Sequence, residues 1–287
     1  MRTYLDCIPC FFKQAIEAAR IAGCNEAKQK EILDKLCKLI SEFDINSSPP
    51  VMGRAFYRLV EEVSGNPDPF KEVKEKANKL AMGLYPKLKE LINQAEDRLL
   101  MAIELAISGN VIDYGVKNLL DVDFQIERVL NGEFPAQTRA LFEYKRFKES
   151  LDNARTILYL TDNTGEILFD RVLIEELKTR VVCALRDKPI INDATIEDAK
   201  YCGLDKSAEV ISSGCDAPGV LLDSCSEEFL HLYEQADLII SKGQGNFEAL
   251  TGEDRPIYFL FKVKCPVVAK DVGGMVGDIV LKGPDKW

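Results

Sequence analysis

Apolar positions in the first half of the chain recur at helical spacing. Ile32, Leu33, Leu36, Leu39 and Ile40 form one stripe, and Leu99, Leu100, Ile103, Leu105, Ala106 and Ile107 form another. Asn46 to Pro50 breaks one helix, Gly65-Asn66-Pro67-Asp68-Pro69 breaks the next, and Gly109 and Gly115 bracket a further turn. Residues 1–150 therefore predict an irregular helical bundle with its apolar stripes turned inward. From about residue 152 short apolar runs alternate with amphipathic stretches. The runs predict strands over Thr156–Thr161, Val181–Leu185, Glu209–Ser212, Leu238–Ser241, Ile257–Phe261 and Val267–Ala269. Helices are predicted over Ile167–Lys178, Thr195–Cys202, Gly219–Gln235 and Phe247–Leu250. Such alternation makes residues 151–287 an α/β domain, a mostly parallel sheet with helices on both faces.

In sheets of this kind ligands bind outside the carboxyl ends of the strands, so the residues just after each strand are the candidates. They are Asp162-Asn163-Thr164-Gly165-Glu166 after the first strand and Lys188 to Thr195, including Asn192-Asp193, after the second. Ser241-Lys242-Gly243-Gln244-Gly245-Asn246 follows the fourth, and Lys270-Asp271-Val272-Gly273-Gly274 the last. Oxygen ligands from Asp162, Asn163 and Asp193 suit a hard divalent cation with positions left for water and a phosphoryl oxygen. Lys242 and Lys270 would neutralise further phosphate charge, and Gly243 and Gly245 would let backbone N–H groups approach the anion. Taken singly, Asp162 or Asp193 reads as a helix N-cap. The coincidence of four strand ends favours a site.

Composition narrows the chemistry. The 287 residues hold 37 Lys and Arg against 47 Asp and Glu, a formal charge of −10, which disfavours nucleic acid and anionic membrane as partners. A single histidine, His231, excludes Ser-His-Asp triads and His-rich zinc hydrolases. It falls at helical spacing and reads as a helix-surface residue. The nine cysteines follow no apolar leader, and no run is long enough to span a membrane, so a cytoplasmic protein with free thiols is expected. Cys7-x-x-Cys10, with only Cys24 and Cys37 nearby, matches no common zinc spacing. Thiols packed beside the first helix and a redox pair remain the readings. Gly243-x-Gly245-x-x-Glu248 lacks the third glycine of a dinucleotide fingerprint, and Thr164 stands where aspartyl-phosphate phosphatases carry a second Asp.

Asp162-Asn163-x-Gly165-Glu166, Asn192-Asp193-Ala194-Thr195 and Lys242-Gly243-x-Gly245-Asn246-x-Glu248 together resemble the metal-dependent damage-control phosphatases, a former domain-of-unknown-function family. Cys7-x-x-Cys10 and Gly109-Asn110-Val111-Ile112-Asp113 resemble its short, prokaryotic-type branch. The resemblance spans nearly the whole chain and implies a helical domain packed on a Rossmann-like three-layer α/β domain. It also implies Asp162, Asn163 and Asp193 as ligands of one divalent ion (Mn, Co, Ni or Mg). Asn110, Glu166, Lys242, Gly243, Gly245, Asn246 and Lys270 would contact the substrate. The eukaryotic-type relatives' Lys-Gly-Asp-Leu-Asn-like segment is Lys242-Gly243-Gln244-Gly245-Asn246 here, so their substrate preference does not transfer.

The expected function is hydrolysis of small phosphorylated metabolites, either sugar phosphates or phosphorylated and damaged cofactors. Asp162, Asp193 and Asp113 form the expected catalytic set. The acceptor of the attacking water's proton stays open among Asp113, Glu166 and Asp193, as does a covalent aspartyl route. Two alternatives share these residues: a metal-dependent transferase acting on a phosphorylated or carboxylated ligand, and a non-catalytic metal or metabolite sensor with Cys7 and Cys10 as its redox element.

Overall fold

The computed structural model describes residues 1–109 and 141–284. Its first helices are α1 (Cys7–Ile21), α2 (Glu26–Glu42), α3 (Pro49–Ser64), α4 (Lys71–Gln94) and α5 (Arg98–Ser108). Local chemistry sets their ends. Asn25 and Asp97 accept the backbone N–H of Lys28 and Leu100 as N-caps, Pro49 and Pro50 open α3, and Gly65 closes it in the left-handed region. The stripe carrying Ile32 and Leu36 packs with Phe11, Met52 and Phe56 into one apolar cluster.

Helix α6 (Tyr144–Asn153) leads into β1 (Thr156–Leu160), α7 (Glu166–Ile174), β2 (Arg180–Leu185), α8 (Ile196–Tyr201) and β3 (Glu209–Ser212). Then come α9 (Glu227–Gln235), β4 (Leu238–Lys242), α10 (Gln244–Leu250), β5 (Ile257–Lys262), α11 (Pro266–Val272) and β6 (Ile279–Lys282). The sheet runs β3-β2-β1-β4-β5-β6, parallel except for β6, which pairs antiparallel with β5. Alternate strand residues serve the two faces. Ile157 and Tyr159 join the cluster holding Ile103, Leu168 and Val172, while Leu158 and Leu160 join the one holding Phe229, Phe247 and Val268. Helices therefore cover both faces, and the inner strands read as unbroken apolar runs.

Two expected elements differ. Val267–Ala269 lies inside helix α11, because Pro266 occupies its first turn and Cys265 caps it, whereas the last strand is β6. The predicted helix over Gly219–Gln235 is helical only from Glu227. Ser226 caps it there by accepting the N–H of Phe229, and a short 3-10 turn at Leu222–Ser224 precedes it. Among the described residues no helix is long and apolar enough to cross a membrane. His231 is exposed on α9.

The chain runs outward from β1 through β2 to β3, then restarts beside β1 with β4. The strand order thus reverses between β1 and β4, where open α/β sheets form their ligand crevice.

Candidate active site

Asp162 follows β1, and the end of β4 stands beside it in the sheet. Every residue from Thr161 to Asp170 is buried. Two loops zip together here. Ala194 donates its N–H to the Asp162 carbonyl at 2.8 Å, Thr164 donates to the Asn192 carbonyl at 2.8 Å, and Asn163 and Asp193 form an antiparallel bridge. Ile191, just ahead, has φ 48, a left-handed conformation that a β-branched residue adopts only at a cost. Three expected ligands, Asp162, Asn163 and Asp193, are therefore brought together and held by backbone.

Their side chains are organised as well. Asn163 Nδ2 donates to Asp162 Oδ2 at 3.1 Å and to Glu166 Oε2 at 3.3 Å. That orientation commits the amide nitrogen and leaves the carbonyl oxygen as the polar atom these two bonds do not use. Asp193 Oδ2 accepts from Arg186 Nε at 2.7 Å, and both residues are buried. Burial pushes the Asp162 carboxyl well above the usual carboxylate range. The nearby charges of Asp193 and Glu166 push it further, while Lys264 and Arg186 act the other way. A cation at Asp162 would relieve this repulsion.

Gly243 explains how the carboxylate fits. At φ 82 it adopts a backbone that side chains rarely take, and a Cβ there would sit 2.0 Å from Asp162 Oδ2. Its N–H donates to the Leu260 carbonyl at 3.1 Å, so it serves the sheet rather than an anion, a correction to the expected phosphate contact. Gly245 likewise makes room for protein. A Cβ there would lie 2.1 Å from the Pro218 carbonyl oxygen.

Lys242 is the largest correction. It is wholly buried, and Nζ donates to the Ala106 carbonyl at 2.9 Å, to Glu166 Oε1 at 2.7 Å and to Asp170 Oδ1. All three ammonium hydrogens are committed, which leaves none for a phosphate. Burial disfavours its charge, but Asp170 and Glu166 outweigh that and hold its pKa above the ordinary lysine value. Asp170 Oδ1 also accepts from Tyr159 at 2.7 Å, and burial pushes the Asp170 carboxyl up to about 6.

Asn246 also turns inward. Its Oδ1 accepts from Arg186 Nη2 at 3.0 Å and from the Val220 N–H at 2.9 Å. Its Nδ2 donates to the carbonyls of Thr161 at 3.1 Å and Lys242 at 2.8 Å. It joins three loops and has no atom left for substrate. Lys270 is exposed on α11 rather than following a strand, so the expected basis for its phosphate contact is absent. Asn110 and Asp113 lie outside the described residues.

Two cations escaped the sequence reading. Arg186 directly follows β2 and looks like an ordinary strand-end arginine, yet it is buried with raised basicity beside Asp193. Lys264 lies on the turn after β5, exposed, and its charge draws the Asp162 carboxyl down. The clue available for Lys264 was its place beyond the carboxyl end of a strand.

Among the described residues no three His, Cys, Asp or Glu side chains converge as a ligand set. The candidate set is instead two aspartates and one amide oxygen. The crowding of Asp193 and Glu166 against Asp162 is what fits that set to a cation.

A ligand crevice at the switch point of a three-layer α/β sheet, lined by buried carboxylates, is the class that fold and geometry define. The damage-control phosphatase ARMT1-like domain matches residues 3–280, and the chain belongs to that family. An uncharacterized protein of Methanocaldococcus jannaschii is 41% identical over 96% of this chain and 93% of its own. A damage-control phosphatase of Archaeoglobus fulgidus is 35% identical over 96% and 97%. The crystal structure of a DUF89 family protein from Pyrococcus horikoshii superposes with a TM-score of 0.88 at 34% identity, covering 99% of both chains.

Proposed function

We propose that the chain is a divalent-metal-dependent phosphomonoester hydrolase acting on small phosphorylated metabolites, sugar phosphates or phosphorylated and damaged cofactors. Family membership and relatives named damage-control phosphatases support the phosphatase role. The observation that carries the metal is Asp162, a buried carboxylate crowded by Asp193 and Glu166 at the crevice between β1 and β4. Asp162, Asp193 and the Asn163 carbonyl oxygen would hold one Mn, Co, Ni or Mg ion. Bound there, the ion would neutralise phosphoryl oxygens and polarise the phosphorus centre.

The protein's own groups do the rest. Arg186 pairs with Asp193 and aims it. Lys242, through Glu166, fixes the Asn163 amide. Lys264 supplies an exposed positive charge beside Asp162, where a non-bridging phosphate oxygen would need one. A site carboxylate takes the proton of the attacking water. The test is phosphate release from p-nitrophenyl phosphate and a panel of sugar phosphates and phosphorylated cofactors, across Mg, Mn, Co and Ni. Turnover should vanish in EDTA and return with one of the metals. Equal rates with and without chelator would remove the metal from the reaction.

A further inference from the structure

The loop from Ser213 to Ser226, between β3 and α9, is closed at its neck by Ser226 N–H donating to the Ser213 carbonyl at 3.0 Å. Gly214 permits this approach, since a Cβ there would fall 2.5 Å from the Ser226 nitrogen. Just inside the neck on either side stand Cys215, buried, and Cys225, half-buried. Both sulfurs grip the same short segment. Cys215 Sγ donates to the Gly219 carbonyl at 3.5 Å and Cys225 Sγ to the Leu221 carbonyl at 3.3 Å.

We propose that Cys215 and Cys225 form a reversible dithiol–disulfide site, oxidised by small-molecule disulfides, whose state is transmitted to Asp193. Both carry free thiols, and a Cβ at Gly214, next to Cys215, would lie 3.2 Å from the Cys225 carbonyl carbon, so the backbone brings the two cysteines to one neck. Two free thiols held at one closed loop neck are the arrangement that intramolecular thiol–disulfide exchange requires.

The exchange balances. Cys225, the more accessible, gives its proton to water and attacks one sulfur of the oxidant, forming a mixed disulfide and releasing one small thiolate. Cys215 gives its proton to that thiolate and attacks the Cys225 sulfur, releasing the second thiolate, which takes a proton from water. The protein loses two electrons, and the small disulfide gains them.

The consequence follows from contacts. Oxidation removes both S–H donors from the carbonyls of Gly219 and Leu221. Val220, between them, donates to Asn246 Oδ1, which also accepts from Arg186, the partner of Asp193. Loosening this segment therefore loosens the guanidinium that aims Asp193. This coupling rests on the metal reading above, whereas the disulfide itself does not.

The experiment incubates the full chain in glutathione buffers of graded oxidation, traps free thiols by alkylation and maps linked peptides by mass spectrometry. The expected product joins Cys215 to Cys225, has lost two hydrogens and reverts with dithiothreitol. Separate thiols, or either cysteine linked elsewhere, would overturn the proposal. Calorimetric titration with manganese then tests the coupling. Oxidised protein should bind roughly tenfold more weakly, the scale on which supporting contacts to a metal ligand act. Cys225→Ser, which keeps a donor for Leu221, should bind equally before and after oxidant. Cys215→Ser is the second control. Unchanged manganese affinity in protein shown to carry the disulfide would overturn the coupling alone.

Discussion

Lys242 ends its strand with an ammonium among Glu166, Asp170 and a backbone carbonyl, and this changes what its removal should do. Lys242→Met would leave two carboxylates buried without their cation, a loss of about 3–5 kcal/mol by comparison with other broken buried pairs. Lys270→Met should shift stability by no more than about 0.5 kcal/mol, as exposed substitutions do. Denaturant unfolding of both variants checks this, and near-equal stabilities would return Lys242 to the surface of the site. In sequence, Leu238-Ile239-Ile240-Ser241-Lys242 looks like an apolar strand followed by its first solvated residue. The partners that bury Lys242 lie far away in the chain, so local pattern could not show them. Arg186 was hidden because its burial draws on Asn246, 60 residues away, as well as on nearby Asp193. Asp162, Asn163 and Asp193 were legible because strand-end polarity is a local signal.

Among elements, the turn from β4 into α10 is set by Gly243. Gly243→Ala should cost about 1–3 kcal/mol, because φ 82 with ψ 157 is a conformation that only glycine holds readily, and should also displace the Asp162 carboxylate, weakening manganese binding by at least about tenfold. Gly273→Ala is the control, since Gly273 has φ 80 with nothing within 4 Å of its Cβ position. It should lose about 1 kcal/mol for its left-handed backbone and no metal affinity. Titration calorimetry beside thermal melts separates the two effects, and equal metal affinities would show that the glycine serves the turn alone. Five of the six strands were legible from apolar runs bounded by polar residues. Val267–Ala269 misled because β-branched residues favour strands, while Pro266 and the Cys265 cap decide for helix. Ile279–Lys282 was missed as a short run after a glycine-rich turn, and its pairing with β5 is a long-range choice.

For the whole molecule, the amino terminus is tied into the α/β core. The Met1 ammonium donates to the Glu248 carbonyl at 2.6 Å, and burial pushes the Glu248 carboxyl from its ordinary 4.5 up to about 7. Between those values the folded chain binds more protons than the unfolded one, so this group's contribution is best below about pH 4.5. It declines until about pH 7 and is flat above. Glu248→Gln should therefore melt roughly 2–4 °C above the parent at pH 8, the response to about 1 kcal/mol in a large domain. The two should converge near pH 4.5. A gap constant with pH in thermal melts would mean that the charge is not the cause. The alternation of helical and strand grammar made the α/β arrangement legible, whereas the burial of α7 and of the loops around Asn246 comes from packing between distant segments.

The proposed reaction depends first on Asp162 holding a divalent ion. The most direct measurement titrates manganese into the parent chain and into Asp162→Ala by calorimetry, with phosphate release from p-nitrophenyl phosphate followed on the same samples. One binding event is expected in the parent and none in the variant, with activity lost and a melting temperature equal to or above the parent's, because a crowded buried carboxylate has been removed. Parent-like manganese binding and turnover in Asp162→Ala would contradict it.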